Sequence, residues 1–337
     1  MYVNQGGVTL KQSPTEQLFK LFDETAQILR KELDCTYLDA LCETGENLFQ
    51  NEILQEGLSE TTTTRLKKLY QDCSLSAFSK EEIRKSYQLA ILKGMKGQSQ
   101  SNHQMTPDSI GYLMGYFTKK FVGKTDRLTI LDPAIGTGNL LATIIQQHQE
   151  GEIVGFGVEI DDVLIQLAYI GASLLEQDVE LFHQDSLRPL FIDPVDMVVC
   201  DLPVGYYPDD VQASTYQLKS EKGHSYAHHL FIEQSLKHTK PGGYLFFLIP
   251  NGLFESEQAD QLQKFLREEA IIQGVIQLPL SIFTSENAAK SLLIIQKKKE
   301  GVTAPKEVLL AALPSLSNPQ SFNQMLVGVE NWFKENK

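Results

Sequence analysis

The chain has 337 residues, of which 42% are hydrophobic and 9% aromatic, so we expect one large globular domain with a smaller second one, not a disordered or fibrous protein. The formal charge of −13 argues against a broad nucleic-acid-binding surface, because duplex binding depends mainly on Lys and Arg. No bilayer-spanning run, secretory signal or CxxC spacing is visible, so we expect a cytoplasmic protein with free thiols, no membrane partner and no metal site.

The first hundred residues are predicted to form helices, because their apolar residues recur every three or four positions. The predicted segments are Gln17–Leu33, Tyr37–Leu54, Arg65–Tyr70 and Glu81–Leu92. The cluster Thr61–Thr64 is predicted to cap the third of these helices. The polar, glycine-bearing stretch Gly94–Asn102 then predicts a linker. We therefore place a helical N-terminal domain at residues 1–100.

Two groups of basic residues near this boundary could form a surface for nucleic acid. They are Lys80, Arg84, Lys85, Lys93 and Lys96, followed by Lys119, Lys120, Lys124 and Arg127. Solvated helix faces explain such groups as well, and no aromatic residues are regularly interleaved with them. We favour the solvated-face interpretation.

Beyond the linker, short β-rich runs alternate with helical stretches, which predicts an α/β domain with a mostly parallel sheet over residues 101–299. The predicted strands are Leu128–Leu131, Ile153–Val158, Val179–Phe182, Met197–Cys200, Tyr244–Ile249, Gly274–Leu278 and Leu292–Ile295. Helices are predicted to begin at Asn139 and near Asp161, and a third, His228–Thr239, to end at the stop signal Lys240–Gly243. Residues 300–337 are predicted to form an extension with a loop and one helix ending near Trp332.

The segment Asp132–Asn139, which reads DPAIGTGN, follows the first predicted strand directly and precedes a helix. Its glycines let the backbone approach a ligand closely, and the N–H groups that open the helix face that ligand. A dinucleotide fingerprint is disfavoured because Leu141 stands where a third small residue is needed. A P-loop is excluded, since no Gly-Lys-Ser/Thr follows the turn. The segment is therefore predicted to be a cofactor site of another kind.

Four acidic residues follow predicted strands, where ligands of parallel sheets bind: Asp132, Glu159, Asp185 and Asp201. Each could also be only a turn former or helix cap. Functionally, Asp132 would hold the glycine loop and a ligand ammonium, and Glu159 would bind two ribose hydroxyls. Asp185 could accept a hydrogen bond from the exocyclic amino group of an adenine.

These residues resemble the adenine-N6 methyltransferases, in particular the methylation subunits of type I restriction-modification systems and small stand-alone bacterial relatives. The resemblance covers most of residues 100–297, including His103-Gln104-Met105-Thr106-Pro107, the glycine loop and the motif Asp201-Leu202-Pro203-Val204. It implies S-adenosylmethionine as the cofactor and a class I fold with a seven-stranded sheet, whose last strand, Ser291–Gln296, runs antiparallel. The cofactor-binding residues that it implies are Thr106, Asp132, Pro133, Ala134, Gly136, Gly138, Asn139, Glu159, Ile160, Asp185, Ser186 and Asp201.

The expected chemistry explains an acid at position 201. The lone pair of the adenine amino group is shared with the ring, so the nitrogen is a poor nucleophile. The carboxylate of Asp201 and the carbonyl of Leu202, accepting its two N–H protons, would localise that pair and aim it at the methyl group. Pro203 restricts the backbone that carries both acceptors. These three residues and Tyr206 form the predicted catalytic set.

The motif departs from the family pattern, because Leu202 replaces a proline and Val204 replaces the aromatic residue that stacks on the base. Tyr206 or Tyr207, after Gly205, could supply the stacking face, with help from Tyr226 or His224. Alternatively, the two tyrosines are ordinary surface or core residues. No target-recognition domain is evident, so a separate specificity partner or a homodimer is expected.

Three hypotheses follow for the function. The favoured one is methylation of adenine N6 in DNA, and the second is methylation of another planar amide or amine, such as a protein glutamine. The third is an interaction protein that binds the cofactor but has lost turnover, for which Val204 is the main argument.

Overall fold

The computed structural model describes residues 12–96, 105–148, 150–283, 285–314 and 319–337, and the chain divides into two units. The helices are α1 Pro14–Leu33, α2 Tyr37–Gln50, α3 Glu60–Gln71, α4 Lys80–Met95, α5 Asp108–Val122, α6 Asn139–Gln147, α7 Asp162–Leu175, α8 Asp210–Ala213, α9 Ala227–Lys237, α10 Ala259–Glu269 and α11 Pro319–Asn336. The strands are β1 Arg127–Asp132, β2 Glu152–Glu159, β3 Val179–His183, β4 Val195–Asp201, β5 Thr239–Pro250, β6 Ala270–Gln277, β7 Lys290–Lys297 and β8 Leu309–Ala312. The linker was predicted to begin at Gly94, but Gly94 and Met95 still belong to α4. The rest of the predicted linker after Lys96, with His103 and Gln104, lies outside the described residues.

The first unit comprises the chain up to Met105 together with Gln166–Gln177, which includes most of α7. Helices α1, α2 and α4 pack around a core that contains Phe22, whose ring lies 5.4 Å from that of Tyr87. The hydroxyl of Tyr87 donates a hydrogen bond to the carbonyl oxygen of Leu167 in α7, at 3.4 Å. A serine or threonine side chain caps each of α1 to α4, namely Ser13, Thr36, Ser59 and Ser79. These caps satisfy backbone N–H groups that a helix cannot pair itself.

Two predicted helix ends are wrong. The threonine cluster does not cap α3 but lies inside its first turns, because Ser59 accepts the hydrogen bond from the Thr62 N–H at 3.2 Å. Helix α2 stops four residues before Leu54, because Asn51 takes a left-handed conformation with φ 54°. The side chain of Asn47 then accepts a hydrogen bond from the Leu54 N–H, which holds the chain in a turn.

The second unit contains one sheet with the strand order β3-β2-β1-β4-β5-β7-β6-β8. Strands β1 to β5 run parallel, and β7 runs antiparallel to both β5 and β6. The sheet has eight strands among the described residues, so the prediction of seven is wrong. The additional strand, β8, pairs parallel with β6, and the antiparallel strand is therefore not the last one. The mostly parallel α/β architecture is as predicted.

The predicted stop signal after α9 belongs to the sheet. Helix α9 ends at Lys237, and Thr239 already pairs with Val195 as the first residue of β5. Residues 240–243 form a bulge, because the next pair joins Met197 to Tyr244, and Gly242 takes φ 85° within it. The proline and glycines there bend a strand instead of ending a helix.

One edge of the sheet collects the ends of several strands. Parallel β1, β2 and β4 end there at Asp132, Glu159 and Asp201. Antiparallel β7 begins there, since Lys290 pairs with Pro250, the last residue of β5. No helix in the described part of the chain is long and apolar enough to cross a membrane.

The basic residues that could have formed a nucleic-acid surface are mostly paired with acids. Seven of the nine, all within the described ranges, form salt bridges: Lys80, Arg84, Lys85, Lys93, Lys120, Lys124 and Arg127. Their partners include Glu81, Glu150 and Glu330. This pairing lowers the local positive potential and agrees with the solvated-face interpretation.

Candidate active site

The glycine turn connects β1 to α6 and lies in the second unit. Gly136 and Gly138 have φ of 55° and 78°, a conformation that side chains rarely adopt. A Cβ added to Gly136 would meet no atom within 4 Å, and both glycines are partly exposed. The turn therefore leaves open space above its backbone, as a ligand cradle requires.

Asp132 closes β1 below this turn and is 1% exposed. Its carboxylate accepts a hydrogen bond from the Ala134 N–H at 3.1 Å, which fixes the start of the loop. Burial raises the pKa of Asp132 to about 8, against the effect of that hydrogen bond, and the charge of Asp201 raises it further. The Cys200 thiol lies beside it, and burial raises the thiol pKa well above its usual value. Asp132 is thus largely protonated at neutral pH when no cation lies near it.

Glu159 closes β2 and fastens the glycine turn to that strand. Its carboxylate accepts hydrogen bonds from the N–H groups of Gly136 at 2.9 Å, Ile160 at 2.9 Å and Asp161 at 3.0 Å. Ile160 is 66% exposed, which is unusual for an isoleucine after a buried strand and offers an apolar face next to the carboxylate. The hydroxyl of Ser186, which is buried, donates to the carbonyl oxygen of Pro133 and so connects the loop after β3 to the glycine turn.

Asp185 lies in the loop after β3 and is tied to the loop after β4. The Tyr207 hydroxyl donates to its Oδ2 at 2.5 Å, and the Leu187 N–H donates to its Oδ1 at 2.9 Å. Arg188 lies 3.8 Å from the same carboxylate. Tyr207 is buried, so it belongs to the core and does not supply an exposed stacking face.

Asp201 ends β4, with a side chain that is 25% exposed. Its Oδ2 accepts a hydrogen bond from the Thr106 hydroxyl at 3.0 Å. Asn139, the first residue of α6, donates to the Thr106 carbonyl oxygen at 3.0 Å and to Asp108 Oδ1 at 3.1 Å. The segment before α5, the glycine turn and the acid of β4 therefore meet at one place.

Lys290 was not predicted from the sequence, yet its ammonium donates to Asp201 Oδ1. It reaches that position because β7 is antiparallel and starts at the edge where β4 and β5 end. One signal was available, since Lys290 directly precedes the strand that was predicted to run antiparallel. The sheet edge where the sequence analysis expected four acidic residues thus also contains a cation.

The loop after Asp201 presents its side chains in two directions. Leu202 is buried, and its N–H donates to the Leu248 carbonyl oxygen at 3.2 Å, while Pro203 is half-buried. Val204 and Tyr206 are both exposed, Tyr206 to 61%. Backbone hydrogen bonds from Tyr207 to Ser225 and from Ala227 to Gly205 hold this loop beside the start of α9.

Tyr206 is the outer member of an aromatic stack. Its ring lies 5.0 Å from that of Tyr226 with 13° between the planes, and Tyr226 lies 5.0 Å from His228 with 28°. His224 is 6.2 Å from Tyr206 and contacts Asp210 through Nδ1 at 3.0 Å. Tyr206 is therefore held in place by stacking and leaves its outer surface to solvent.

Residues 89–326 match the sequence profile of a family described as N-6 DNA Methylase, and residues 16–95 match that of the YtxK N-terminal helical domain. The uncharacterized protein YtxK of Bacillus subtilis (strain 168) is 50% identical over 321 residues, which cover 95% of this chain and 98% of that protein.

Two solved structures are similar to the whole chain. One, from Listeria monocytogenes, is provisionally assigned as a class I S-adenosylmethionine-dependent methyltransferase; it has a TM-score of 0.89 and 50% identity, and the match covers 95% of this chain and 99% of that one. The type I restriction-modification system methyltransferase subunit from Streptococcus thermophilus has a TM-score of 0.66 at 17% identity, over 94% and 74%. The predicted family resemblance and class I methyltransferase fold are confirmed.

Proposed function

Because the chain belongs to the N-6 DNA methylase family, we propose that it transfers a methyl group from S-adenosylmethionine to a neutral amino nitrogen, with adenine N6 in DNA as the acceptor. One observation carries the proposal. Asp201 is partly exposed at the sheet edge, held by Thr106, and Asn139 ties Thr106 to the open glycine turn. This arrangement supports a single site in which Asp201 accepts hydrogen bonds from the acceptor and the glycine turn holds the cofactor.

The residues present fit S-adenosylmethionine, since the space above Gly136 is open and Ile160 exposes an apolar face. The glycine backbone and the start of α6 would hold the amino acid part, with Thr106 and Asp132 beside it. The assigned roles of the remaining residues are ribose binding for Glu159 and contact with the adenine ring for Ile160, Asp185 and Ser186. When bound, the cofactor supplies a methyl group on a positively charged sulfur.

Asp201 and the Leu202 carbonyl are assigned to position the acceptor. They accept its two N–H protons, which localises the nitrogen lone pair toward the methyl carbon. The cofactor, held by the glycine turn, would supply the methyl group: the bond gained by nitrogen would replace the carbon–sulfur bond, whose electron pair would stay on sulfur. The surplus proton of the nitrogen is released to water. Pro203 and the hydrogen bond from Thr106 hold the two acceptors in place before the substrate binds.

A base from duplex DNA reaches such a site only by leaving the stack, which costs a few kcal/mol. The outer surface of Tyr206 is the face that we assign to receive it, since every base can stack on an aromatic ring. The salt-bridged basic residues supply little free positive charge, so we assign most DNA contact to a specificity partner or to a second copy of the chain. A cytoplasmic location belongs to the same proposal.

A second acceptor class is a planar amide in a protein, such as a glutamine side chain. The observation that favours it is again the neutralisation of basic residues by acids, which suits a protein acceptor better than a polyanion. The Asp201 carboxylate would serve that nitrogen by the same hydrogen bonds.

The test is transfer of radiolabelled methyl groups from S-adenosylmethionine to separate DNA, RNA and protein fractions. The proposal predicts label in DNA that elutes as N6-methyladenine after digestion to nucleosides. Label in protein alone would show that the acceptor is a protein amide and not adenine. No label in any fraction, together with calorimetric binding of S-adenosylmethionine, would leave the non-catalytic hypothesis.

A further inference from the structure

Lys290 occupies a position that the proposed reaction does not require. Its ammonium donates to Oδ1 of Asp201, the carboxylate assigned to the acceptor nitrogen, and both side chains are about three-quarters buried. Strand β5 lies between β4 and β7, so the Lys290 side chain extends past β5 to reach Asp201. A cation is thus placed in the acceptor subsite itself.

Resting on the proposed function, we propose that Lys290 determines the class of acceptor by admitting neutral NH₂ groups and rejecting alkylammonium groups. Asp201 without a partner would attract any cation, including a protein lysine or an N-terminus. With Lys290 in place the pair carries no net charge. A second ammonium is repelled by the ammonium of Lys290, and this repulsion is screened only weakly because water reaches the site only partly. A neutral planar amino group experiences no such repulsion.

The hydrogen-bonding capacity of Asp201 allows this selection. A carboxylate offers about four lone-pair directions over its two oxygens. Lys290 uses one on Oδ1, and Thr106 uses one on Oδ2. About two directions remain, and a neutral acceptor needs only one of them for its N–H, so it can bind without displacing Lys290. An alkylammonium would have to compete with Lys290 for the same negative charge.

The chemistry of the transfer favours the same acceptor class. A protonated amine has no lone pair and must lose a proton before it can attack the methyl carbon. An adenine amino group or a carboxamide carries no such proton at neutral pH. By excluding ammonium groups, Lys290 keeps the subsite free of tightly bound but unreactive ligands.

The experiment compares wild type with Lys290→Gln, which removes the charge, and Lys290→Arg, which keeps it. The probes are 2′-deoxyadenosine, a neutral amino acceptor without phosphate, and Nα-acetyl-lysine amide, a monocation. Calorimetry measures the affinity of each probe for protein saturated with S-adenosylhomocysteine, so turnover is not needed. Thermal melting of all three proteins confirms that each is folded.

We expect Lys290→Gln to bind the lysine probe at least about tenfold more tightly than wild type does, while affinity for 2′-deoxyadenosine changes less than about threefold. Lys290→Arg should behave as wild type. Equal affinity of the lysine probe for wild type and Lys290→Gln would overturn the inference. So would N-methylation of Lys290 in wild type incubated with S-adenosylmethionine, because an amine at this position would then be an acceptor.

The two proposals fail separately. If wild type transfers no methyl group to any fraction but Lys290→Gln gains affinity for the lysine probe, the charge selection stands and the proposed reaction is wrong. If DNA is methylated but the lysine probe binds all three proteins equally, the reaction stands and the role of Lys290 is wrong.

Discussion

Replacing Asp132 with asparagine is expected to stabilise the free protein at high pH. Burial raises the pKa of this carboxyl to about 8, whereas in an unfolded chain it titrates near 3.8. Between these two values the folded state binds one more proton than the unfolded state does. The free energy of unfolding of wild type therefore falls as the pH rises from about 4 to about 8, and then stops falling.

The size of the effect follows from the width of that interval. Each pH unit inside it costs wild type about 1.4 kcal/mol, so the loss from pH 5 to pH 8 is roughly 3–4 kcal/mol. Asp132→Asn removes the titrating group, so its free energy of unfolding does not fall over this pH interval. The variant should therefore gain that amount relative to wild type over the same interval, while S-adenosylmethionine binds more weakly because the carboxylate is gone.

Urea unfolding followed by tryptophan fluorescence measures this difference. Trp332 is the single tryptophan, and its ring lies 5.8 Å from that of Phe121 in the unit that also contains Asp132. Asp193→Asn, at an exposed aspartate, is the matched control for removing a carboxylate. If wild type and Asp132→Asn differ by the same free energy at pH 5 and pH 8, the reasoning from burial is refuted.

Three further substitutions test the assigned roles. Glu159→Ala removes the acceptor shared by three backbone N–H groups of the cradle, so the affinity for S-adenosylmethionine, measured by calorimetry, should fall at least about tenfold. Unchanged affinity would exclude Glu159 from the cofactor site. Thr106→Val deletes the hydrogen-bond donor to Asp201 and should lower kcat about tenfold, whereas Thr106→Ser, which keeps a hydroxyl, should restore it. Equal rates for both variants would show that the hydroxyl is not needed. Tyr206→Ala should raise KM for the acceptor about tenfold, because stacking of a base on a ring contributes about 1–3 kcal/mol. Tyr206→Phe keeps the ring and should raise KM less than about twofold. A large effect of Tyr206→Phe would show that the hydroxyl, and not the ring, binds the acceptor.

Local patterns were sufficient to place the strand-end acids. Asp132 and Glu159 each follow a short apolar run, and parallel strands always bring such ends to one edge. The positive φ of Gly136 and Gly138 follows equally from residue type, because glycine adopts it at little cost. These features depend on a few neighbouring residues, and a single sequence contains that information.

Contacts between distant segments could not be predicted in this way. Lys290 meets Asp201 only because β7 lies next to β5 and runs against it, which depends on the order of strands in the whole sheet. Tyr206 is exposed and Tyr207 is buried, and this difference depends on the hydrogen bond from Tyr207 to Asp185, 22 residues away in the sequence. Strand β8 is four residues long with only Leu309 buried, too short for a periodic pattern.

The central claim is that Asp201 presents its oxygens to the acceptor nitrogen beside a bound methyl donor. The most direct measurement is the single-turnover rate of methyl transfer by wild type and Asp201→Ala, with the calorimetric affinity for S-adenosylmethionine measured on the same preparations. We predict a rate at least about 100-fold lower in the variant and a much smaller change in affinity. Transfer by Asp201→Ala at the wild-type rate would contradict the claim.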